Sequence, residues 1–124
     1  MKRILLVILT ALLLGGCMGL EERILRAESS NWKAEYVLNI QNQRDMQMSG
    51  YIAWIGEGEP PEIIYYKLQH GLTSTSEGDG YVYENRVNLG NSSCQNCAIP
   101  DKNQNAVLTI MWDGQEEELV LEKE

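Results

Sequence analysis

From Trp32 onward the chain alternates. Trp32, Ala34, Tyr36, Leu38 and Ile40 fall on one side of an extended chain, and Lys33, Glu35 and Asn39 on the other, with Val37 the exception. That is the period-two signature of a strand with one buried face. A polar break, Asn42-Gln43-Arg44-Asp45, precedes a second run in which Met46, Met48, Gly50, Ile52 and Trp54 repeat the pattern against Gln47 and Ser49. Gly56 to Pro61 reads as a loop, because proline lacks the backbone N–H and glycine weakens a strand interior. Ile63 to Gln69 predicts a third strand with Ile64, Tyr66 and Leu68 on one face. His70-Gly71 then turns the chain into a weaker strand over 72–76, and Glu77-Gly78-Asp79-Gly80 reads as a further turn. Tyr81 to Leu89 alternates again, interrupted by Asn85, and Gly90 to Asn105 is a long polar loop.

The C-terminal hairpin can be specified by register. Asp113-Gly114 between two apolar-alternating runs suits a type I′ turn. A two-residue turn there sets Trp112 opposite Gln115, Ile110 opposite Glu117, Leu108 opposite Leu119 and Ala106 opposite Leu121. The apolar members then share one face, which a one-residue slip would scatter. Glu117 lands on that face as well, so the turn end of the hairpin is expected to reach solvent. Seven strands and no amphipathic helix long enough to cover a sheet predict an all-β, Ig-like β-sandwich of about seven antiparallel strands, occupying 31–124. The Ig hallmark of cysteines on two facing strands is missing, so the expectation concerns architecture alone.

The N-terminus has a different pattern. Lys2-Arg3 precedes an unbroken apolar run from Ile4 to Leu14, followed by Gly15, Gly16 and Cys17. A short basic region, a brief apolar region and small residues before a cut make a secretory signal over 1–16, and the run is well short of the roughly 20 residues of a membrane-spanning helix. Leu14-Gly15-Gly16-Cys17 resembles a bacterial lipobox, in which the cysteine thiol receives diacylglycerol and becomes the new N-terminus. Residues 17–30 are polar around Ile24 and Leu25 and read as a lipidated tether. The expected location is the extracytoplasmic face of the cell membrane, held by the N-terminal lipid.

Charge narrows the partners. The chain carries ten Lys and Arg against eighteen Asp and Glu; losing Lys2 and Arg3 with the signal leaves eight, and a mature balance of −10. Nucleic acid and anionic lipid headgroups both need clustered basic residues, so neither is an expected partner and the lipid alone supplies attachment.

Chemistry has few candidates. Cys94 and Cys97 form an even pair in an oxidising compartment, for which a structural disulfide is the leading reading. Redox catalysis lacks the helix that lowers a thiol pKa, and a structural zinc wants four ligands; with free thiols, these stay open as alternatives. His70 is the only histidine, so any Ser-His-Asp or Cys-His machinery would have to use it; it reads as an exposed turn residue. Met46 and Met48 share a face with Ile52 and Trp54 and read as core. Glu57, Glu59 and Glu62, and Glu77 with Asp79, lack the spaced oxygen set calcium requires and read as solvated loops. Glu116-Glu117-Glu118 reads as protection of a sheet edge.

The run Glu28-Ser29-Ser30-Asn31-Trp32-Lys33-Ala34-Glu35-Tyr36, together with Ser93-Cys94-Gln95-Asn96-Cys97-Ala98 and Ile110-Met111-Trp112-Asp113-Gly114, resembles a group of small membrane-anchored lipoproteins of Bacillus and related Firmicutes. The resemblance implies lipidation and a β domain and carries no mechanism. The expected function is that of a non-catalytic module without cofactor or metal, binding an envelope protein or ligand through loops or a sheet edge. The alternative is a thiol-dependent envelope protein handling a metal or a disulfide through Cys94 and Cys97. A third reading is a small-ligand or lectin-like site built on exposed Tyr or Trp.

Overall fold

The computed structural model describes residues 21–71 and 74–124. The expected signal peptide over 1–16 and the lipidated Cys17 lie outside the described residues. Nine strands run along the rest: β1 Glu21–Glu28, β2 Trp32–Ile40, β3 Met46–Trp54, β4 Ile63–His70, β5 Ser74–Tyr81, β6 Arg86–Asn88, β7 Ser92–Cys94, β8 Ala106–Trp112 and β9 Gln115–Lys123. There is no helix among the described residues.

All pairings are antiparallel, in the order β5-β4-β8-β9-β1-β2-β3-β6, with β7 also on β3. The all-β expectation therefore holds, and the β8–β9 register is the one the sequence implies, Leu108 opposite Leu119 and Ile110 opposite Glu117. The two-layer, seven-strand Ig-like sandwich is corrected. A single nine-stranded sheet curls until it is nearly a closed barrel. Two joints cause this. Strand β9 is nine residues long, pairs with β8 from Gln115 to Leu121, and reaches β1 with its last residues, Glu122 opposite Arg26 and Lys123 opposite Leu25. On the far side, β5 and β6 are joined through a tight turn at Glu84 and Asn85, both at positive φ, closed by reciprocal backbone hydrogen bonds between Tyr83 and Arg86. Asn85, which interrupts the apolar alternation, is thus an exposed turn residue. Gly80 lets the two strands approach, since a Cβ there would sit 2.5 Å from Val87 Cγ1.

Three further boundaries differ. The stretch expected as tether contains β1, paired with β2 along its whole length, Glu21 opposite Ile40 through to Glu28 opposite Lys33. Its periodicity is masked because Arg23 points inward while Ile24 points out. Glu77-Gly78-Asp79-Gly80 is strand rather than turn, since β4 supplies a partner for each residue. A short strand, β7, also lies inside the long polar stretch.

Side chains from the face-in positions fill most of the interior, as in other small barrels. Trp32, Leu38, Ile52, Leu108 and Ile110 are fully buried. Trp32, Trp54 and Trp112 gather at one end with edge-to-face contacts, centroids 4.9 to 6.2 Å apart, the geometry that aromatic quadrupoles favour. At the seam where β9 splays from β1, the Glu117 carboxylate accepts hydrogen bonds from the backbone N–H and side-chain amide of Asn31, at 3.1 and 2.7 Å. Glu117 is therefore a latch rather than edge protection. Burial alone would raise its pKa, but hydrogen bonds from Ser29 and Asn31 outweigh burial and hold it below the usual carboxylate range.

Candidate functional site

The curl leaves one side of the wall open. Beyond the β5–β6 turn the free edge of β5 runs past β7 without pairing to it. Leu89 still reaches β3, its N–H donating to Gly50 O at 2.9 Å, while Gly90 and Asn91 bend away towards β7. Between these edges a cavity of about 270 Å³ enters the core. Tyr36, Met48, Tyr66, Leu68, His70 and Leu89 line it, and Ser49, Thr75, Ser76 and Ser92 lie around it.

His70 is the residue the sequence reading misplaced. It is the last residue of β4, continuing the inward parity of Ile64, Tyr66 and Leu68, and only 3% of its surface is exposed. The turn comes one residue later, at Gly71, with φ of 76°. The inward placement of every second residue from Ile64 was the available signal; histidine beside glycine at a run's end obscured it. The imidazole Nε2 lies 3.1 Å from the backbone carbonyl oxygen of Gln104. A carbonyl only accepts, so Nε2 carries the hydrogen and, in the neutral ring, Nδ1 is an acceptor. That Nδ1 is fully buried and has no hydrogen-bond partner among the described residues. Burial pushes the His70 pKa below its ordinary value; the Arg23 charge pushes the same way and the Gln104 carbonyl opposes both. The ring is therefore neutral at neutral pH.

Tyr36 packs edge-to-face on His70 with centroids 5.8 Å apart, and burial pushes its phenol up to about 12. Its hydroxyl therefore keeps its proton across the physiological range. Among the described residues, no Lys, Arg, Asp or Glu lines the cavity.

The other predicted candidates lie elsewhere. Cys94 and Cys97 are at disulfide distance, with Cα atoms 5.9 Å apart, and sit against the β2–β3 turn. There Cys97 N–H donates to Arg44 O at 2.9 Å and Asn96 N–H to the Asp45 carboxylate at 3.1 Å. Hydrogen bonds from Asn42 and from the Asn96 backbone hold the Asp45 pKa below the usual range. Among the described residues, no three His, Cys, Asp or Glu side chains converge as a metal site would need. Met46 is buried core and Met48 is half-buried at the cavity. Glu57, Glu59, Glu62, Glu77 and Asp79 are exposed. Arg23 is buried, its guanidinium donating to Pro100 O and to the Glu21 carboxylate, which ties the 95–105 loop over one end of the sheet. Tyr81 and Tyr83 are largely exposed at the β5–β6 turn, beside Glu84, Arg86 and Asn88.

No helix among the described residues is long and apolar enough to cross a membrane. No protein-family model matches the chain, and neither the curated proteins nor the solved structures contain a significant match.

Proposed function

We propose that the protein is a lipid-anchored, extracytoplasmic β module that binds a component of the cell envelope without catalysis. The observation that carries this reading is the seam between β5 and β7, where a sheet otherwise committed to closure leaves a mostly apolar cavity open at its side. Concave, mostly apolar sites with a few placed polar groups are where small ligands bind. The anchor is read from Lys2-Arg3, the apolar run after it and Leu14-Gly15-Gly16-Cys17. With β1 beginning at Glu21, the chain between Cys17 and the sheet spans at most about 14 Å when extended, so the anchored domain would sit at the bilayer surface. Cys94 and Cys97 are read as a closed disulfide holding β7 beside the β2–β3 turn.

In-cell photocrosslinking of the anchored protein tests the reading. A photoreactive residue in place of Ser92 should yield a discrete adduct that the same residue in place of Glu57 does not. Equal labelling at both positions, or none at Ser92, would overturn the binding reading. Acyl labelling and membrane retention unchanged by Cys17→Ser would remove the anchor from it. Stoichiometric zinc, or turnover of a test disulfide, abolished by replacing Cys94 and Cys97 with serine would favour thiol chemistry instead.

A further inference from the structure

We infer that the outer face of the β5–β6 turn binds a neutral, gluco-configured saccharide, stacked on Tyr81 and Tyr83 and hydrogen-bonded by Glu84, Arg86 and Asn88. This second site shares no lining residue with the seam cavity, so either can fail without the other.

Strand alternation builds the site. Gly80 and Val87 are buried and face each other across the closed end of the seam, so Tyr81, Tyr83, Arg86 and Asn88 point outward. The turn at Glu84 and Asn85 makes Tyr83 and Arg86 direct cross-strand neighbours, bonded through both backbone groups. Their side chains therefore lie side by side. Beyond that pair β5 and β6 share no ladder. The splayed strands leave a depression of about 420 Å³ lined by Tyr81, Tyr83, Glu84, Arg86 and Asn88.

Two features set this depression apart from ordinary surface. Tyr81 and Tyr83 are 75% and 77% exposed and stand together on one face, whereas apolar surface residues scattered singly need no explanation. Arg86 is pinned, its guanidinium carbon 3.9 Å from the centroid of the Tyr51 ring, a cation–π contact. Among the described residues no carboxylate lies within ion-pair distance of it, which leaves its fork of donors for a ligand.

The lining selects the ligand class. Glu84 only accepts, Arg86 only donates and Asn88 does both, a set that ring hydroxyls, each donor and acceptor, can satisfy. The formal charges of Glu84 and Arg86 cancel, and the chain as a whole carries −8, so an anion is not attracted here. An apolar molecule would strip water from these polar side chains without replacing their hydrogen bonds. Among the described residues no aliphatic side chain lines the depression, so a peptide finds no apolar pocket for its anchors. A sugar fits what remains. In the gluco configuration every ring hydroxyl is equatorial, so the rim carries the hydrogen-bonding groups and both faces present C–H to an aromatic ring.

Position agrees with this. Glu21, where β1 begins, stands opposite Ile40, whereas Arg86 is level with Ala53 and through it with Lys33. The rise of β2 between Ile40 and Lys33 is roughly 23 Å. In the anchored reading the depression therefore lies at the end away from the bilayer, within reach of an envelope polysaccharide.

Titration of the ¹⁵N-labelled full-length protein, held in lipid nanodiscs, with chitotetraose and with cellotetraose tests the site by NMR. At least one sugar should saturably shift the amide resonances of Tyr83 and Arg86 and the Arg86 Nε–H. Tyr83→Ala, at an exposed position that the core does not need, should weaken that sugar about tenfold, the value of a lost aromatic contact. Tyr51 is a positioning residue, so Tyr51→Phe should bind like the unmodified protein and Tyr51→Leu several-fold more weakly. No saturable shift with either sugar, or undiminished binding by Tyr83→Ala, would overturn the inference. Inorganic phosphate or a decaproline peptide shifting these resonances in place of the sugars would also overturn it, showing an anion or a peptide site. A Ser92 crosslink that persists when the sugars fail leaves the seam reading standing; sugar binding that persists when the crosslink is lost removes the seam reading alone.

Discussion

The β8–β9 hairpin and the β5–β7 seam solve opposite problems. In the hairpin, every residue from Ala106 to Trp112 has a partner, and Ala106, Leu108, Ile110, Trp112, Leu119 and Leu121 are all buried on one face. At the seam, β5 has neighbours on one side only, and Met48, Tyr66 and Leu89 are half-buried beside a void. The first region spends its apolar residues on packing. The second leaves packing incomplete beside an unpaired edge. A sheet can thus carry a closely packed half and a loosely packed half, according to which edges find partners.

Two leucines break or sharpen the contrast directly. Leu119→Ala deletes a fully enclosed side chain and should cost about 2–5 kcal/mol in denaturant unfolding. Gly80→Ala, where the closed end of the seam is tightest, drives a methyl into Val87; overpacking of this kind costs about 1–3 kcal/mol. Leu89→Ala should cost only about 1 kcal/mol, because its side chain is half-buried and already borders empty space. Equal costs for Leu119 and Leu89 would show the two regions to be equally packed.

A pH titration of stability adds a gentler test. The folded pKa of His70 lies below its ordinary 6.5, so as pH falls through 6.5 the unfolded chain takes up a proton that the folded one refuses. The neutral ring's contribution is therefore full above 6.5 and declines below it, with stability rising with pH in that window. Glu117 and Asp45, both lowered, contribute stability that is full above their ordinary carboxylate values and is lost only as pH falls below them. His70→Phe should flatten the slope below pH 6.5. The smallest effect belongs to Glu118→Ala. Glu118 is exposed on the outer face of the hairpin, opposite Thr109, and should change stability by less than about 0.5 kcal/mol.

Legibility followed the same division. The β2, β3 and β8–β9 faces could be read residue by residue, because alternation and an Asp-Gly turn are local signals. Where an inward position was polar the reading failed: Arg23 hid β1, and His70 was taken for a turn. The glycines of Glu77-Gly78-Asp79-Gly80 resembled a turn because nothing local reveals that β4 will pair with them. Tyr36 and Tyr66 were read only as strand-face residues, since the cavity they border is shared by β2, β3, β4, β5 and the β6–β7 edge.

The sequence by itself determined the all-β class, most strand positions, the hairpin register and the apolar faces. Each follows from side-chain period and turn chemistry within a few residues. Tertiary structure alone decided that β9 would bridge β8 and β1, and that Glu84 and Asn85 would bring β5 to β6. It also decided that the wall would stay open beside β7, with His70 buried among the residues that line the gap. Those outcomes depend on which edges meet across the whole chain, and edge pairing is carried by backbone groups that every residue shares.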